Sequence, residues 1–395
     1  MKLPAFFPLL LALVPTLALA APPADPKLVD LFSRMDEFHA ARGVKKPGKP
    51  RELKRAPSPE IEKLVNAFMN AHPNTGLLVL KGDTVLAERY QYGRNAQNRF
   101  DSASVAKTVL GMLIGFALDE KKIRSLDDRA EQYVPELKGH AYGETSIRDL
   151  LTMSSGIAFT EADLSTRSEG RRLIDNTLFQ KTEGGVDAVK EFDRREAPAG
   201  TRFNYASADT EVLGLVLAKA TGQPVATYLS EKIWQPMGAE ANATWLVDKG
   251  GYEATYCCLN ATLRDFARFG MLLASYGVRD GKQIIPAGWV KAATTASAPH
   301  LAVGAATKYN GYGYQTWILG DGRPRGNAIH GGGAPAVTLA ESTMFGAFGL
   351  RGQAIFVDGA SKLVVVHTAV WPDGSDQAER AAQFELWFTL LAKTS

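Results

Sequence analysis

Two cysteines among 395 residues, Cys257 and Cys258, are all the thiol chemistry this chain possesses, and being adjacent they cannot staple distant segments. A disulfide-built scaffold is therefore excluded, and the pair reads as two buried thiols sooner than as a strained vicinal bridge. Histidine is scarce too. The six, at positions 39, 72, 140, 300, 330 and 367, show no H-E-x-x-H or similar ligand spacing, so no metal and no other cofactor is expected. There is no G-x-S-x-G elbow, which removes the α/β-hydrolases. Charge of one sign is also missing: Lys and Arg number 45 against 42 Asp and Glu, a net +3. Such a balance argues against a nucleic-acid or membrane partner and leaves a small molecule as the expected one. Nothing in the composition bears on oligomeric state.

What is present begins with a leader. Lys2 precedes the apolar run Phe6 to Leu19, and Ala18-Leu19-Ala20 has the small-residue pattern of a cleavage site, so residues 1–20 read as a signal peptide cut after Ala20. A periplasmic or secreted protein is expected. Residues 21–57 read as a short helix, with Leu28, Leu31, Phe32, Met35 and Phe38 at helical spacing, then a basic, proline-broken linker from Arg42 to Arg55. Ser58-Pro59-Glu60 carries helix-start chemistry, and the folded domain is expected over 58–395.

Within that domain, Leu77 to Leu80 with Val85 to Ala87, and Ala354 to Val357 with Leu363 to Val366, read as β-hairpins; a last helix spans Asp376 to Ala392. Both ends of the domain thus supply strands and flanking helices. The middle, about residues 125–255, patterns as helical, so the expected class is α/β of the α+β kind: an antiparallel sheet with a helical lobe inserted. Clefts between such lobes are where sites form.

From Val105 to Leu118 nearly every residue is apolar, so a helix here is buried all round. Ser104 and Lys107 stand at its start, one turn apart on one face. A lysine becomes a base for a serine hydroxyl only when its pKa falls from about 10.4 towards 7, which burial against apolar walls can supply. Gly111 and Gly115 form a small strip along which another element can approach. The bland alternative is a serine N-cap beside a snorkelling lysine, but this helix has hardly any exposed face for one. Farther on, Tyr205 lies on a polar loop ahead of the apolar run Val212 to Ala220, either projecting into a cleft or sitting at its rim.

Taken together, Ser104-Val105-Ala106-Lys107, Tyr205-Ala206-Ser207, Ser146 to Ile157, Leu263 to Gly270 and Gly349-Leu350-Arg351-Gly352-Gln353 resemble the serine β-lactamase and penicillin-recognising superfamily. Within it they look most like 6-aminohexanoate-dimer hydrolases and family VIII carboxylesterases, relatives of the class C enzymes. The resemblance implies a β-lactamase/transpeptidase-like fold. It implies Ser104 as acylated nucleophile, Lys107 as its base and Tyr205 as a second proton carrier, with oxyanion or substrate contacts from Ser104, Ser207, Arg351, Gly352 and Gln353. The family's Lys-Thr-Gly is missing, its place on an edge strand falling to Leu350-Arg351-Gly352, with His330-Gly331-Gly332 as a competing segment. The implied activity is cleavage of a small ester or amide. A D-amino-acid peptidase, a weak β-lactamase and a non-catalytic binding protein are the alternatives.

Overall fold

The computed structural model describes residues 21–161, 167–179, 184–320 and 343–394; the leader and His330-Gly331-Gly332 lie outside the described residues. Its centre is a sheet of eight described strands. Their order is 310–312, 317–319, 344–348, 354–358, 363–369, 74–81, 84–90 and 54–55, with every pairing antiparallel except the last. Both hairpins read from the sequence are present, as Asn74–Lys81 with Thr84–Tyr90 and Ala354–Asp358 with Leu363–Ala369. The fold is mixed α/β, with an antiparallel-rich sheet and helices packed on both of its faces.

The central strands are apolar on both faces, so alternate residues enter different cores. Leu77, Val79, Phe356 and Val365 join Ile61, Val65, Trp387 and Leu390 from the helices Pro59–Ala71 and Gln377–Thr394. On the other face Leu78, Leu80, Ile355, Val357, Val364 and Val366 join the helices Val105–Asp119 and Leu263–Ala274. Ser58 accepts from Ile61 N and Thr262 from Asp265 N, so two of these helices are capped as their sequences dictate.

The helix Val105–Asp119 is buried along nearly its whole length. Its glycine strip is occupied. Trp289 lies so close that a Cβ at Gly115 would fall 2.4 Å from its ring, and the indole Nε1 donates to Gly111 O at 3.0 Å. The region 125–255 contributes the helices Ile147–Leu151, Glu169–Ile174, Asp187–Lys190, Ser207–Thr221 and Val225–Leu229.

Two expectations need correction. The basic segment is no free linker: Ala41–Val44 pairs with Ala243–Leu246 in a second sheet, and Lys54–Arg55 runs parallel beside Thr84–Val85. That second sheet, in the order 41–44, 243–246, 259–261, 100–101, has strands too short for alternation to announce them. Cys257 and Cys258 are bonded to each other rather than free. Among the described residues no helix is long and apolar enough to cross a membrane.

Candidate active site

The strand Phe100–Asp101 delivers the chain to a tight turn at the start of the buried helix. Ser102 N donates to Leu259 O at 2.9 Å, and Leu259 N donates back to Ser102 Oγ at 3.0 Å. Ala103 sits at φ 41°, a left-handed conformation disfavoured by its Cβ, and its N–H is held by Asp101 Oδ2 at 2.8 Å. Burial pushes the Asp101 carboxyl up to about 7. Backbone strain of this kind persists only where the surroundings over-determine it. Its result is that the Ser104 hydroxyl starts the helix without capping it, free for other partners.

One turn on, Lys107 is 1% exposed. Its Nζ lies 2.9 Å from Ser104 Oγ and donates to Tyr256 O at 2.7 Å. Burial lowers the Lys107 pKa to about 8, against the pull of the Glu161 and Glu211 carboxylates, which favour the charged form. A lysine so placed holds a large neutral fraction near pH 8 and can take the serine proton.

Tyr205 closes the other side, with its ring centroid 5.1 Å from Lys107 Nζ and its phenol interacting electrostatically with Ser104. The ring stacks on Trp317 at 5.4 Å and meets Tyr312 edge-on at 6.2 Å, so it stands in an aromatic wall rather than at a rim. Burial and the nearby Glu161 charge raise its pKa well above 10, which keeps the phenol protonated. Ser207, two residues on, donates from both N–H and Oγ to Glu161.

The tip 349–353 joins the strands Met344–Phe348 and Ala354–Asp358 and presses on the turn that leads into Ser104. A Cβ at Gly349 would fall 2.8 Å from Ser102 O and 2.8 Å from the Ala103 Cβ. The expected edge strand is not an edge, since Trp317–Leu319 pairs outside Met344–Phe348, though only at Phe345 and Gly346. Gln353 spends its side chain on structure: Nε2 donates to Ala369 O at 2.7 Å and Oε1 accepts from Ala369 N at 3.3 Å. Gly352, at φ 92°, packs against Trp371 where a Cβ would collide. Arg351 turns one guanidinium nitrogen, Nη1, to the carbonyls of Trp371 and Pro372.

Sequence reasoning missed two charged groups. Glu161, in a polar loop, carries no motif. Arg380 lies on the last helix, and its Nη2 donates to Gly349 O at 2.9 Å while its guanidinium stacks 5.2 Å from the Phe348 centroid and 4.8 Å from that of Trp371. It interacts electrostatically with Tyr205 and has no carboxylate partner among the described residues. Among those residues no group of three His, Cys, Asp or Glu side chains could hold a metal ion.

The family described as Beta-lactamase matches residues 61–386. A 6-aminohexanoate-dimer hydrolase of Paenarthrobacter ureafaciens is 28% identical over 303 residues, covering 75% of this chain and 72% of its own. A beta-lactamase of Lysobacter lactamgenus is 29% identical over 198 residues, 47% of this chain and 46% of its own. Among solved structures, a putative 6-aminohexanoate-dimer hydrolase from Bacillus anthracis superposes with a TM-score of 0.79 at 24% identity, covering 93% of this chain and 95% of its own.

Proposed function

Because the chain belongs to the beta-lactamase family and is a serine hydrolase of that fold, we propose that Ser104, Lys107 and Tyr205 cleave a small ester or amide through an acyl-enzyme. The observation that carries this reading is the 2.9 Å contact between a buried lysine and a serine hydroxyl that caps nothing. In the first half-reaction neutral Lys107 takes the Ser104 proton as Oγ attacks the carbonyl carbon. The oxyanion forms beside the helix start, where backbone N–H groups and the dipole favour negative charge. Collapse breaks the bond to the leaving group, which receives a proton by way of Tyr205. In the second half the same groups deprotonate a water, which releases the acid and restores Ser104.

Tyr205 suits a relay because its phenol interacts with Ser104 and its ring lies beside Lys107 Nζ, so a proton lost at one can be returned at the other. Gln353 and Gly352 support the tip beside Ser104, and Ser207 acts with Tyr205. By the leader pattern the protein works outside the cytoplasm, as a periplasmic or secreted enzyme.

One observation favours a narrower reading, a D-amino-acid peptidase or weak β-lactamase. Arg380, near Tyr205 and without a carboxylate partner among the described residues, supplies a cation that the missing Lys-Thr-Gly lysine would otherwise bring. The deciding experiment follows intact mass and nitrophenolate release after brief exposure to p-nitrophenyl butyrate, with Ser104→Ala alongside. A burst and a butyryl adduct on the wild type alone are expected. Absence of both on folded wild type overturns the esterase reading, and trapping by labelled penicillin moves it to the narrower one.

A further inference from the structure

We propose that Glu161 is a positioning residue of this site, whose carboxylate grips Ser207 at both N–H and hydroxyl, fixes Tyr205 over Lys107 and sets the charge around that lysine. The inference rests on the serine–lysine reading above. Ser207 N donates to Glu161 Oε2 at 2.8 Å, and Ser207 Oγ donates to Oε1. Both carboxylate oxygens are therefore held by one residue, in the first turn of the helix Ser207–Thr221.

That helix lacks a side-chain cap, because its N-cap position is Ala206. Glu161 brings from another segment what Ala206 cannot supply: an acceptor for a free N–H and an anion at the positive end of the helix. Tyr205 precedes Ser207 by two residues. A helix start that loses its anchor lets the Tyr205 ring drift from its place 5.1 Å from Lys107 Nζ.

The same carboxylate acts through space. Lys107 is faced by Glu161, by Glu211 from the helix Ser207–Thr221, by Tyr205 ahead of it and by Tyr256 from the opposite wall. Glu161 also faces Asp209, Tyr142 and Tyr312. Burial pushes the Glu211 carboxyl up to about 8, and Glu161 is the other carboxylate acting on the lysine. Desolvation alone would leave Lys107 neutral but weakly basic. An anion nearby keeps its basicity close to the working pH, where proton transfer from a serine is most effective.

The test compares wild type, Glu161→Gln and Glu161→Ala in pH profiles of kcat/KM and in burst amplitude with p-nitrophenyl butyrate. In Glu161→Gln, which keeps the shape and one acceptor, the acid limb should move about one unit to lower pH. In Glu161→Ala, kcat should fall about tenfold or more with KM little changed. A Glu161→Gln enzyme with the acid limb and kcat of the wild type would overturn the proposal. So would an alanine variant that loses thermal stability yet keeps the wild-type pH profile, because that is a merely structural cap. If the wild type itself forms no Ser104 adduct, the serine–lysine reading fails first and this inference falls with it.

Discussion

Lys107 Nζ donates to the carbonyl oxygen of Tyr256 across 2.7 Å, so the lysine is held from behind while its front faces Ser104 at 2.9 Å. A carbonyl can accept from either protonation state of the amine, and it fixes the position without forcing the charge. Since burial lowers the Lys107 pKa to about 8, kcat/KM should rise between pH 6 and 9 with an acid limb near 8. A profile flat from pH 6 to 9 would contradict the lysine's role.

The same shift has a cost in stability. Between a folded pKa of about 8 and the ordinary value of 10.5, the unfolded chain binds the proton more readily than the native one, so stability gains with rising pH through that window and is penalised throughout below it. Lys107→Met should therefore abolish esterase turnover yet raise stability at pH 7 by about 1–2 kcal/mol, less than the full shift implies because two hydrogen bonds are lost. Denaturant melts of both proteins at pH 7 and pH 10 check the sign, with the advantage shrinking at the higher pH.

Gly349 sets the distance between the 349–353 tip and the turn that leads into Ser104. An added methyl at 2.8 Å from Ser102 O meets backbone, which cannot step aside as a flexible side chain would. Gly349→Ala should lower kcat at least tenfold, through a displaced tip, while KM and the far-ultraviolet circular dichroism stay near wild type.

Ser104 and Lys107 were legible as a pair because they share the start of one short, all-apolar helix, where a lysine has no innocent place to go. Tyr205 was visible as a residue, but its setting was not: Trp317 and Tyr312 join it from strands more than a hundred residues away, and no local spacing encodes that meeting. Glu161 and Arg380 were invisible for the same reason, each reaching the site across tertiary structure from a segment of ordinary polar pattern. The segment 349–353 was read as part of an edge strand and is instead a turn between two paired strands, beside the turn that leads into Ser104. The reading of Arg351 could not include two nearby carbonyls, of Trp371 and Pro372, to which its Nη1 donates. The supposed linker failed because strands of two to four residues borrow their hydrogen bonds from partners and leave almost no pattern of their own.

Gly115 tests the packing of the central helix. A Cβ there would lie 2.4 Å from Trp289, whose indole is already tied to Gly111 O at 3.0 Å and is 7% exposed. Gly115→Ala gains helix propensity of about 1 kcal/mol, but overpacking against a fixed ring costs about 1–3 kcal/mol and should win. A net loss in urea melts is expected, together with slower acylation, because the helix start carries Ser104.

The bond between Cys257 and Cys258 closes almost no loop, so the unfolded-chain entropy that makes long-range disulfides stabilising is nearly absent here. Its effect must be sought in the native backbone, and the neighbouring groups say where. Tyr256, one residue before it, offers the carbonyl that holds Lys107; Cys257 O accepts from Trp245 Nε1 at 2.8 Å; Cys258, at φ 70°, passes its carbonyl to Leu246 N and to Asn260 Nδ2. The double change Cys257→Ala and Cys258→Ala should leave Tm within about 3 °C of wild type, because little chain entropy and few core contacts are lost. It should nevertheless slow acylation severalfold, as the Tyr256 carbonyl is less firmly aimed at Lys107 Nζ. Treatment of the wild type with a dithiol reductant should give the same kinetic change, restored on reoxidation. Unaltered burst rates in both the variant and the reduced protein would assign the bridge no part in holding the lysine.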